Sequence, residues 1–203
     1  MKIAIISGSH RHNSQSLKVA EHIQTTVEIE TENDTWLYSL EGNPLPLWDE
    51  GVWDGEQKWL DILTPIKEQL SDCDALVIIT PEWHGQVPAG LKNFFLLFGK
   101  NEMGHKPALI VSISSGAGGS YPVAELRMSS YKNSRICYIP EHVIIRDVES
   151  VLNNNDADND KRSDAYIRGR LQWSLNILNE YAAALKQVRA SGVTQTDKFA
   201  NGM

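Results

Sequence analysis

The chain has 203 residues, a formal net charge of −7, 41% hydrophobic and 22% charged residues, which is the composition of a one-domain globular protein. An acidic chain without a basic patch argues against nucleic acid and anionic membranes as partners. No apolar run approaches the roughly 20 residues that span a bilayer, and residues 1–7 predict a first strand rather than a signal peptide. We expect a cytoplasmic protein with reduced cysteines, Cys73 and Cys137, although the sequence leaves a disulfide between them open.

Strand and helix patterns alternate along the chain. The predicted strands are residues 3–7, 35–40, 75–79 and 108–113, with a fifth at 136–139 or 143–145. The predicted helices are residues 14–26, 58–70, 88–98, 123–131 and 164–188. This order predicts an α/β domain over residues 1–190, with a five-stranded parallel sheet and helices on both faces. The polar tail, residues 191–203, is expected to be frayed.

Three further segments bear on binding. The polar loop 153–160 lacks the glycine and closing glutamate of a calcium loop, so no metal site is predicted. Residues 94–98 are apolar on all sides, which is typical of a fully buried helix or a subunit interface. Trp48, Trp53 and Trp59 follow a proline-rich stretch. They fit a substrate mouth, a dimer contact or simple hydrophobic anchors.

The loop after the first strand carries the features of a phosphate-binding turn. Gly8 permits a sharp turn, and hydroxyl groups, an amide and a guanidinium follow within eight residues at Ser9, Arg11, Asn13, Ser14 and Ser16. A helix that begins near Ser14 adds unpaired amides and a positive dipole end. An ordinary capped turn needs only one such hydroxyl. The loop is neither a Walker A motif nor a Gly-x-Gly-x-x-Gly turn.

Two more loops follow predicted strands. The first, residues 80–88, combines prolines and a glycine with Trp83 and His84, so its backbone can approach a flat ligand closely. Trp83 is suited to flank an aromatic ring, although a half-buried anchor explains it equally well. The second, residues 114–120, is rich in glycine and serine. Because the carboxyl ends of parallel strands share one sheet edge, we expect all three loops to meet there.

The motifs in these loops resemble a known family over about residues 2–145. Residues 8–14 have the pattern Gly-Ser-x-Arg-x-x-Ser, residues 81–84 are Pro-Glu-Trp-His, and residues 88–93 have the pattern Pro-x-x-Leu-Lys-Asn. Lys106-Pro107 and Leu126-Arg127 continue the series. In order and spacing, this resembles the NADPH-dependent FMN reductases. The resemblance implies a flavodoxin-like three-layer sandwich that binds FMN, with NADPH or NADH as co-substrate, and a homodimer or homotetramer.

The resemblance also implies roles for particular residues. The phosphate of FMN would contact Ser9, Arg11, Ser14 and Ser16, with the backbone of Gln15 as a further donor. The isoalloxazine ring would meet the backbone of residues 81–85, and Ser115 and Gly116 would lie near its far side. The complete predicted cofactor-binding set is Ser9, Arg11, Ser14, Gln15, Ser16, Pro81, Glu82, Trp83, His84, Gly85, Ser115 and Gly116.

The chain departs from the family pattern in three places. Trp83 stands where the family has tyrosine, His84 where it has asparagine, and Leu96-Leu97 where it has Asp-Trp. The first two departures bear on the flavin environment and the substrate. His84 is a candidate donor to the ring or substrate, whereas His10, His12, His22, His105 and His142 are interpreted as surface residues.

The function predicted from these features is an FMN-dependent oxidoreductase. It would take a hydride from NAD(P)H and pass electrons to a quinone, flavin, azo compound or metal ion. No catalytic side chain is predicted, because the flavin carries this chemistry. The alternatives are a flavodoxin-like electron carrier and a non-redox flavin-binding regulator.

Overall fold

The computed structural model describes residues 1–31, 33–195 and 199–202. Five strands form one parallel sheet in the order β2-β1-β3-β4-β5. The strands are β1 (Lys2–Ser7), β2 (Asp34–Ser39), β3 (Ala75–Pro81), β4 (Pro107–Ile113) and β5 (Cys137–Ile145). The helices are α1 (Gln15–Thr31), α2 (Gly51–Asp54), α3 (Gln57–Asp72), α4 (Ala89–Leu97), α5 (Lys100–Met103), α6 (Ser120–Ser129) and α7 (Lys161–Ala190). The predicted α/β fold is confirmed.

Each face of the sheet is covered by helices because the central strands are apolar on both sides. On one face, Ile5 of β1 and Val77 of β3 belong to a core with Ile23 of α1 and Leu178 of α7. On the other face, alternate residues of the same strands belong to a second core, which holds Ile6, Ile78, Trp59, Leu63, Phe94 and Leu126. The result is the three-layer sandwich that the alternating pattern predicts.

The winding of the sheet reverses at β1, which lies between β2 and β3. In open parallel sheets, ligands bind beyond the carboxyl ends of the strands at this reversal. Gly8 leaves β1 there and donates a backbone hydrogen bond to the carbonyl of Ile79, with 2.9 Å between nitrogen and oxygen. A Cβ atom on Gly8 would lie 2.5 Å from that carbonyl oxygen and 2.7 Å from Cδ2 of Leu91. Only glycine fits this close approach.

Strand β5 shows why the fifth strand was ambiguous in the sequence. Residues 136–139 and 143–145 were alternative predictions, and the structure joins parts of both in one strand of nine residues. A register shift between Ala108 and Ile110 in the pairing with β4 accommodates the intervening Pro140 segment. The exposed Pro140 interrupts the apolar pattern, so periodicity alone divides the strand.

Helix α4 is only partly buried, so the prediction of a fully buried helix at residues 94–98 is wrong. Phe94, Leu97 and Phe98 are buried, but Leu96 is 65% exposed. Leu96 and Phe95 instead line an apolar groove together with Trp48 and Trp53. The other half of the prediction, a subunit interface, remains open.

The remaining expectations concern the cysteines, the tail and the membrane. Cys73 and Cys137 are free thiols, the first buried and the second half-buried. The predicted frayed tail, residues 191–203, lies partly outside the described residues; within it, the backbone carbonyl of Phe199 accepts a hydrogen bond from Arg135 at 2.6 Å. None of the helices in the described ranges is both long enough and apolar enough to span a membrane.

Candidate active site

The loop after β1 turns its hydroxyl groups inward at the start of α1. Ser9, Ser14 and Ser16 are at most 7% exposed. The Ser9 hydroxyl accepts a hydrogen bond from the amide of Arg11 at 3.3 Å. The Ser14 hydroxyl accepts one from the amide of Leu17 at 3.2 Å, which is the geometry of a helix N-cap. Ser9 and Ser14 therefore shape the loop as well as facing the cleft.

Other polar groups of this loop have no protein partner. The Oγ atom of Ser16 and the Oε1 atom of Gln15 are buried and accept or donate no hydrogen bond within the described residues. Buried polar atoms are almost always paired, and Ser16 and Gln15 both line the cleft, so a ligand in the cleft would pair with these two atoms. A hydroxyl donor and an amide oxygen together suit a ligand with both phosphate oxygens and hydroxyl groups, as FMN has.

The electrostatics of this loop favour an anion. The first amides of α1 have no acceptor inside the helix, and the positive end of the helix dipole lies there. The Arg11 side chain is exposed and forms no salt bridge with any described residue. A guanidinium, serine hydroxyls and helix amides at one point form a phosphate-binding arrangement.

The loop after β3 is a tight turn stabilised by its own backbone. Trp83 and Gln86 exchange two backbone hydrogen bonds, both at 3.0 Å. The two residues between them, His84 and Gly85, have positive φ angles of 49° and 71°, as in the tight turns of β-hairpins. The amide of Trp83 is used in this exchange, and the amide of Glu82 donates to the carbonyl of Ile113 at 2.9 Å. His84 and Gly85 supply the amides that the turn itself does not use.

The side chain of Glu82 connects this loop to the loop after β4. Its Oε2 atom accepts a hydrogen bond from the amide of Gly119 at 2.5 Å. A Cβ atom on Gly118 would lie 2.9 Å from the Oε1 atom of Glu82, so the carboxylate needs glycine at this point. From the other side, Nε of Arg146 donates to the carbonyls of Ala117 and Gly118 at 2.7 and 3.0 Å. The two charged side chains hold the third loop between them.

The three loops enclose a cleft of about 620 Å³, including the open solvent at its mouth. Most of the predicted site residues line it, namely Ser9, Arg11, Ser14, Gln15, Ser16, Pro81, Glu82, Trp83 and Ser115. His84 lines an adjoining cavity instead. Gly85 and Gly116 line neither cavity; the amide and carbonyl of Gly116 bond to Ser114 and Asp147. The structure therefore brings the three predicted loops to one place.

Asn13 and Ser114 also line the cleft; both belong to predicted loops but not to the predicted cofactor-binding set. The lining residues that the sequence analysis missed are Ile113 at the end of β4, and Val148 and Glu149 after β5. The last two lie beyond the carboxyl end of a strand, so the topological rule would have found them had the end of β5 been known. The ammonium of Lys18 holds this segment in place by donating to the carbonyls of Val148 and Val151 at 2.8 and 2.9 Å. Burial lowers the pKa of Lys18.

The adjoining cavity is lined by His10, Arg11, Glu82, Trp83 and His84. It shares Arg11, Glu82 and Trp83 with the main cleft, so the two spaces adjoin along these side chains. The rings of His10 and Trp83 are in contact, with centroids 4.6 Å apart and an interplanar angle of 86°. This is the edge-to-face arrangement that aromatic pairs prefer.

Within the ranges that the structure describes, no group of three or more histidine, cysteine, aspartate or glutamate side chains is placed to hold a metal ion. The cleft includes the carboxylates of Glu82 and Glu149, but the polar side chains of its first loop are hydroxyls, amides and one guanidinium. This donor set suits an organic anion.

The sequence matches a known protein family. The sequence model of a family described as NADPH-dependent FMN reductase matches residues 1–149. An NADPH azoreductase from Bacillus sp. (strain OY1-2) is 26% identical over 145 residues, which cover 71% of this chain and 76% of the relative. A 2-hydroxy-1,4-benzoquinone reductase from Burkholderia sp. is 23% identical over 193 residues, which cover 93% and 98%.

A solved structure has the same fold. FerB, a flavoenzyme NAD(P)H:(acceptor) oxidoreductase from Paracoccus denitrificans, superposes with a TM-score of 0.65 at 20% sequence identity. The superposition covers 92% of this chain and 97% of FerB. At this identity the likeness shows that the two chains share a fold.

Proposed function

The chain belongs to the NADPH-dependent FMN reductase family, and we propose that the cleft formed by its three loops is the place where it holds FMN. The chain is thus an FMN-dependent oxidoreductase that uses NAD(P)H. The observation that carries the placement is the pair of buried, unpartnered atoms, Ser16 Oγ and Gln15 Oε1, beside the exposed Arg11 at the start of α1. A phosphate with an attached polyhydroxyl chain satisfies all of these groups.

The loop after β1 acts on the phosphate end. Arg11 neutralises the phosphate charge, and the hydroxyls of Ser9, Ser14 and Ser16 with the amide of Gln15 donate to its oxygens. The helix dipole of α1 adds to this attraction without any movement of the chain. Because Gly8 fixes the loop against β3, these donors are placed before the ligand arrives.

The loops after β3 and β4 act on the ring end. Pro81 and Trp83 line the cleft where a flat ring would lie, and the turn at His84 and Gly85, whose amides the turn itself leaves unused, follows Trp83 directly. Ser115 lies on the opposite loop, and Gly116 supports it from behind through its bonds to Ser114 and Asp147. The carboxylate of Glu82 keeps the two loops at a fixed separation.

The chemistry that bound FMN supplies is acceptance of a hydride from a nicotinamide nucleotide and onward transfer of electrons. The protein positions the ring and excludes water from one side of it. Because an azo compound and a benzoquinone are the acceptors named for two relatives, we propose planar azo or quinone compounds as acceptors here.

The test of cofactor binding is retention of FMN. Purified protein reconstituted with FMN should stay yellow after desalting, and Arg11→Ala should weaken FMN binding by about tenfold or more, since a charge-assisted contact is lost. Lys67→Ala on α3 removes a positive charge outside the cleft and serves as the matched control. Equal FMN affinity in the Arg11 variant and the control would refute the phosphate assignment.

A second experiment separates the reductase from an electron carrier. Addition of NADPH or NADH to the yellow protein should bleach the flavin rapidly, and an added quinone should restore the colour. A flavin that neither nucleotide bleaches would favour the carrier or the non-redox regulator. The same experiment decides between NADPH and NADH.

We further propose that the chain is a cytoplasmic homodimer or homotetramer, with residues 1–190 as the FMN-binding domain. Exposed apolar side chains near the groove on α4 support self-association: Leu47, Trp53 and Leu96 are at least 65% exposed, and large exposed apolar patches mark interaction sites. Light scattering during gel filtration measures the mass. A monomer at micromolar concentration would exclude this part of the proposal.

A further inference from the structure

The cavity beside the main cleft has no assigned role, and its lining includes Trp83 and His84, two residues in which this chain departs from the family pattern. Trp83, His84 and His10 all line it, and the rings of His10 and Trp83 are in contact. Arg11 and Glu82 separate this cavity from the main cleft. A ligand in the cavity would therefore contact Trp83 while FMN occupies the main cleft.

We propose that this cavity seats the planar electron acceptor and that His10 is a positioning residue that fixes the indole of Trp83 for stacking. The proposal rests on the proposed function, because it takes the main cleft as the FMN site. It goes further by assigning the selectivity for planar aromatic acceptors to two named side chains.

The first support is the ring geometry. The imidazole of His10 meets the indole of Trp83 at 4.6 Å and 86°, so the two rings restrict each other's rotation. Trp83 is partly exposed and lines both cavities. An indole held in one orientation offers a flat surface at a low cost in conformational entropy.

The second support is the space made for His10. The Nδ1 atom of His10 is buried and has no hydrogen-bond partner among the described residues. It packs against Gly90 at the start of α4, where a Cβ atom would lie only 3.2 Å from Nδ1. The close approach of Gly90 limits the positions open to the imidazole, which suits a role in supporting a neighbouring ring.

The third support is the turn on which Trp83 sits. Its two backbone hydrogen bonds with Gln86 fix the position of its Cα atom. The preceding residue, Glu82, accepts a hydrogen bond from the Gly119 amide through its carboxylate. The backbone is therefore rigid on both sides of Trp83. The indole can still rotate about its side-chain bonds, and on this proposal the contact with His10 limits that rotation.

The test compares a planar acceptor with one that cannot stack. Binding of 2-methyl-1,4-naphthoquinone to the oxidised holoenzyme is measured by calorimetry without NADPH, and the KM values for this quinone and for ferricyanide are measured with NADPH. His10→Ala and Trp83→Ala should each weaken quinone binding and raise its KM by about three- to tenfold, since an aromatic contact is lost. In His10→Ala the KM for ferricyanide and the FMN affinity should stay unchanged. Trp83 also lines the FMN cleft, so its variant is assessed by the change in the quinone KM relative to the change in the ferricyanide KM.

Matched variants show whether His10 acts through Trp83. His12→Ala is the control, because His12 lies on the same loop, is 83% exposed and contacts Glu41 instead. His10→Phe keeps a ring beside the indole and should restore most of the quinone affinity. The double variant His10→Ala/Trp83→Ala should be no weaker than Trp83→Ala alone. Gly90→Ala, which displaces the imidazole by contact, should lower quinone affinity in the same direction.

Three results would overturn the proposal: a His10→Ala variant that behaves like His12→Ala, additive effects in the double variant, or a change in the FMN affinity of His10→Ala as large as the change in its quinone affinity. The last result would place the ring pair inside the FMN site. If wild-type chain retains no FMN, the proposed function fails first, and calorimetry on the flavin-free chain then decides this proposal. A wild-type chain that binds no quinone in either form refutes it.

Discussion

The carboxylate of Glu82 provides the sharpest test of how the cleft is held open. Its Oε2 atom lies 2.5 Å from the amide nitrogen of Gly119, which makes it a charge-assisted hydrogen bond between the loops after β3 and β4. Bonds of this kind contribute about 1.5–3 kcal/mol. Glu82→Ala removes the acceptor and frees the third loop, which then has to be ordered again when FMN binds.

If half or more of that free energy appears as an ordering cost, the Kd for FMN rises by about tenfold. Glu82→Gln keeps an acceptor oxygen for the Gly119 amide, and neutral hydrogen bonds are about half as strong, so its Kd should rise by only about threefold. Quenching of flavin fluorescence on binding measures both values. Glu56→Ala, which removes a surface carboxylate paired with Lys58, is the matched control.

The graded response is the important part of this prediction. If Glu82 acted on the flavin by its charge alone, the glutamine and alanine variants would lose FMN equally, and the flavin reduction potential would shift in both. Equal loss in the two variants, or an alanine variant with unchanged affinity, would refute the role of Glu82 as a connection between loops.

Further predictions concern stability, and denaturant unfolding measures each of them. Burial lowers the pKa of Lys106 to about 8, below the ordinary value of about 10.4. Between these two values the unfolded chain binds the extra proton, so the contribution of Lys106 to the free energy of unfolding should rise with pH, by about 1–2 kcal/mol from pH 7.5 to 9.5 relative to Lys106→Met. Gly8→Ala should destabilise the fold by about 1–3 kcal/mol, because its Cβ atom meets the carbonyl of Ile79 at 2.5 Å. Asn93→Ala should lower the free energy of unfolding by about 2 kcal/mol. The substitution removes a buried side-chain amide that accepts a hydrogen bond from the Trp48 backbone amide and donates one to the Pro46 carbonyl, both at 2.8 Å.

Each of these predictions has a result that contradicts it. For Lys106, the free energy of unfolding of the wild type relative to Lys106→Met could instead stay constant or fall with rising pH. Either result would mean that the ammonium keeps its proton in the folded state. For Gly8→Ala, a free energy of unfolding equal to that of the wild type would show that β1 and β3 can move apart without loss of stability. For Asn93, an unchanged free energy of unfolding would show that water replaces both bonds.

The fold was predictable from the sequence because its signals are local. The run at residues 75–79 is apolar on both faces, which only a central strand of a covered sheet requires. The helical spacing of Leu171, Leu175 and Leu178 similarly predicts α7, and all three residues are buried in that helix. In β5, the exposed Pro140 interrupts the apolar pattern, so the sequence divides one strand into two candidates. Short helices such as α2 have too few turns for a periodic pattern.

The candidate site was predictable to the level of its loops but not of its internal contacts. Gly8, the serines and Arg11 mark the first loop because a phosphate-binding turn needs them. Contacts between distant residues leave no such mark: nothing in the sequence pairs Glu82 with Gly119, or His10 with Trp83. These contacts depend on the separation of three strand ends in space, which only the assembled sheet defines. The lining residues Val148 and Glu149 were missed for the same reason.

The two departures in the loop after β3 preserve its backbone while changing what it presents. The backbone exchange between Trp83 and Gln86 involves no side chain, so a tryptophan in place of tyrosine leaves it intact. His84 adopts a φ angle of 49°, and histidine and asparagine are both enriched among residues at positive φ. A histidine in place of asparagine therefore keeps the turn and the amides it offers. On the proposed assignments, the chain retains the part of the loop that serves the cofactor and alters the part that faces the acceptor.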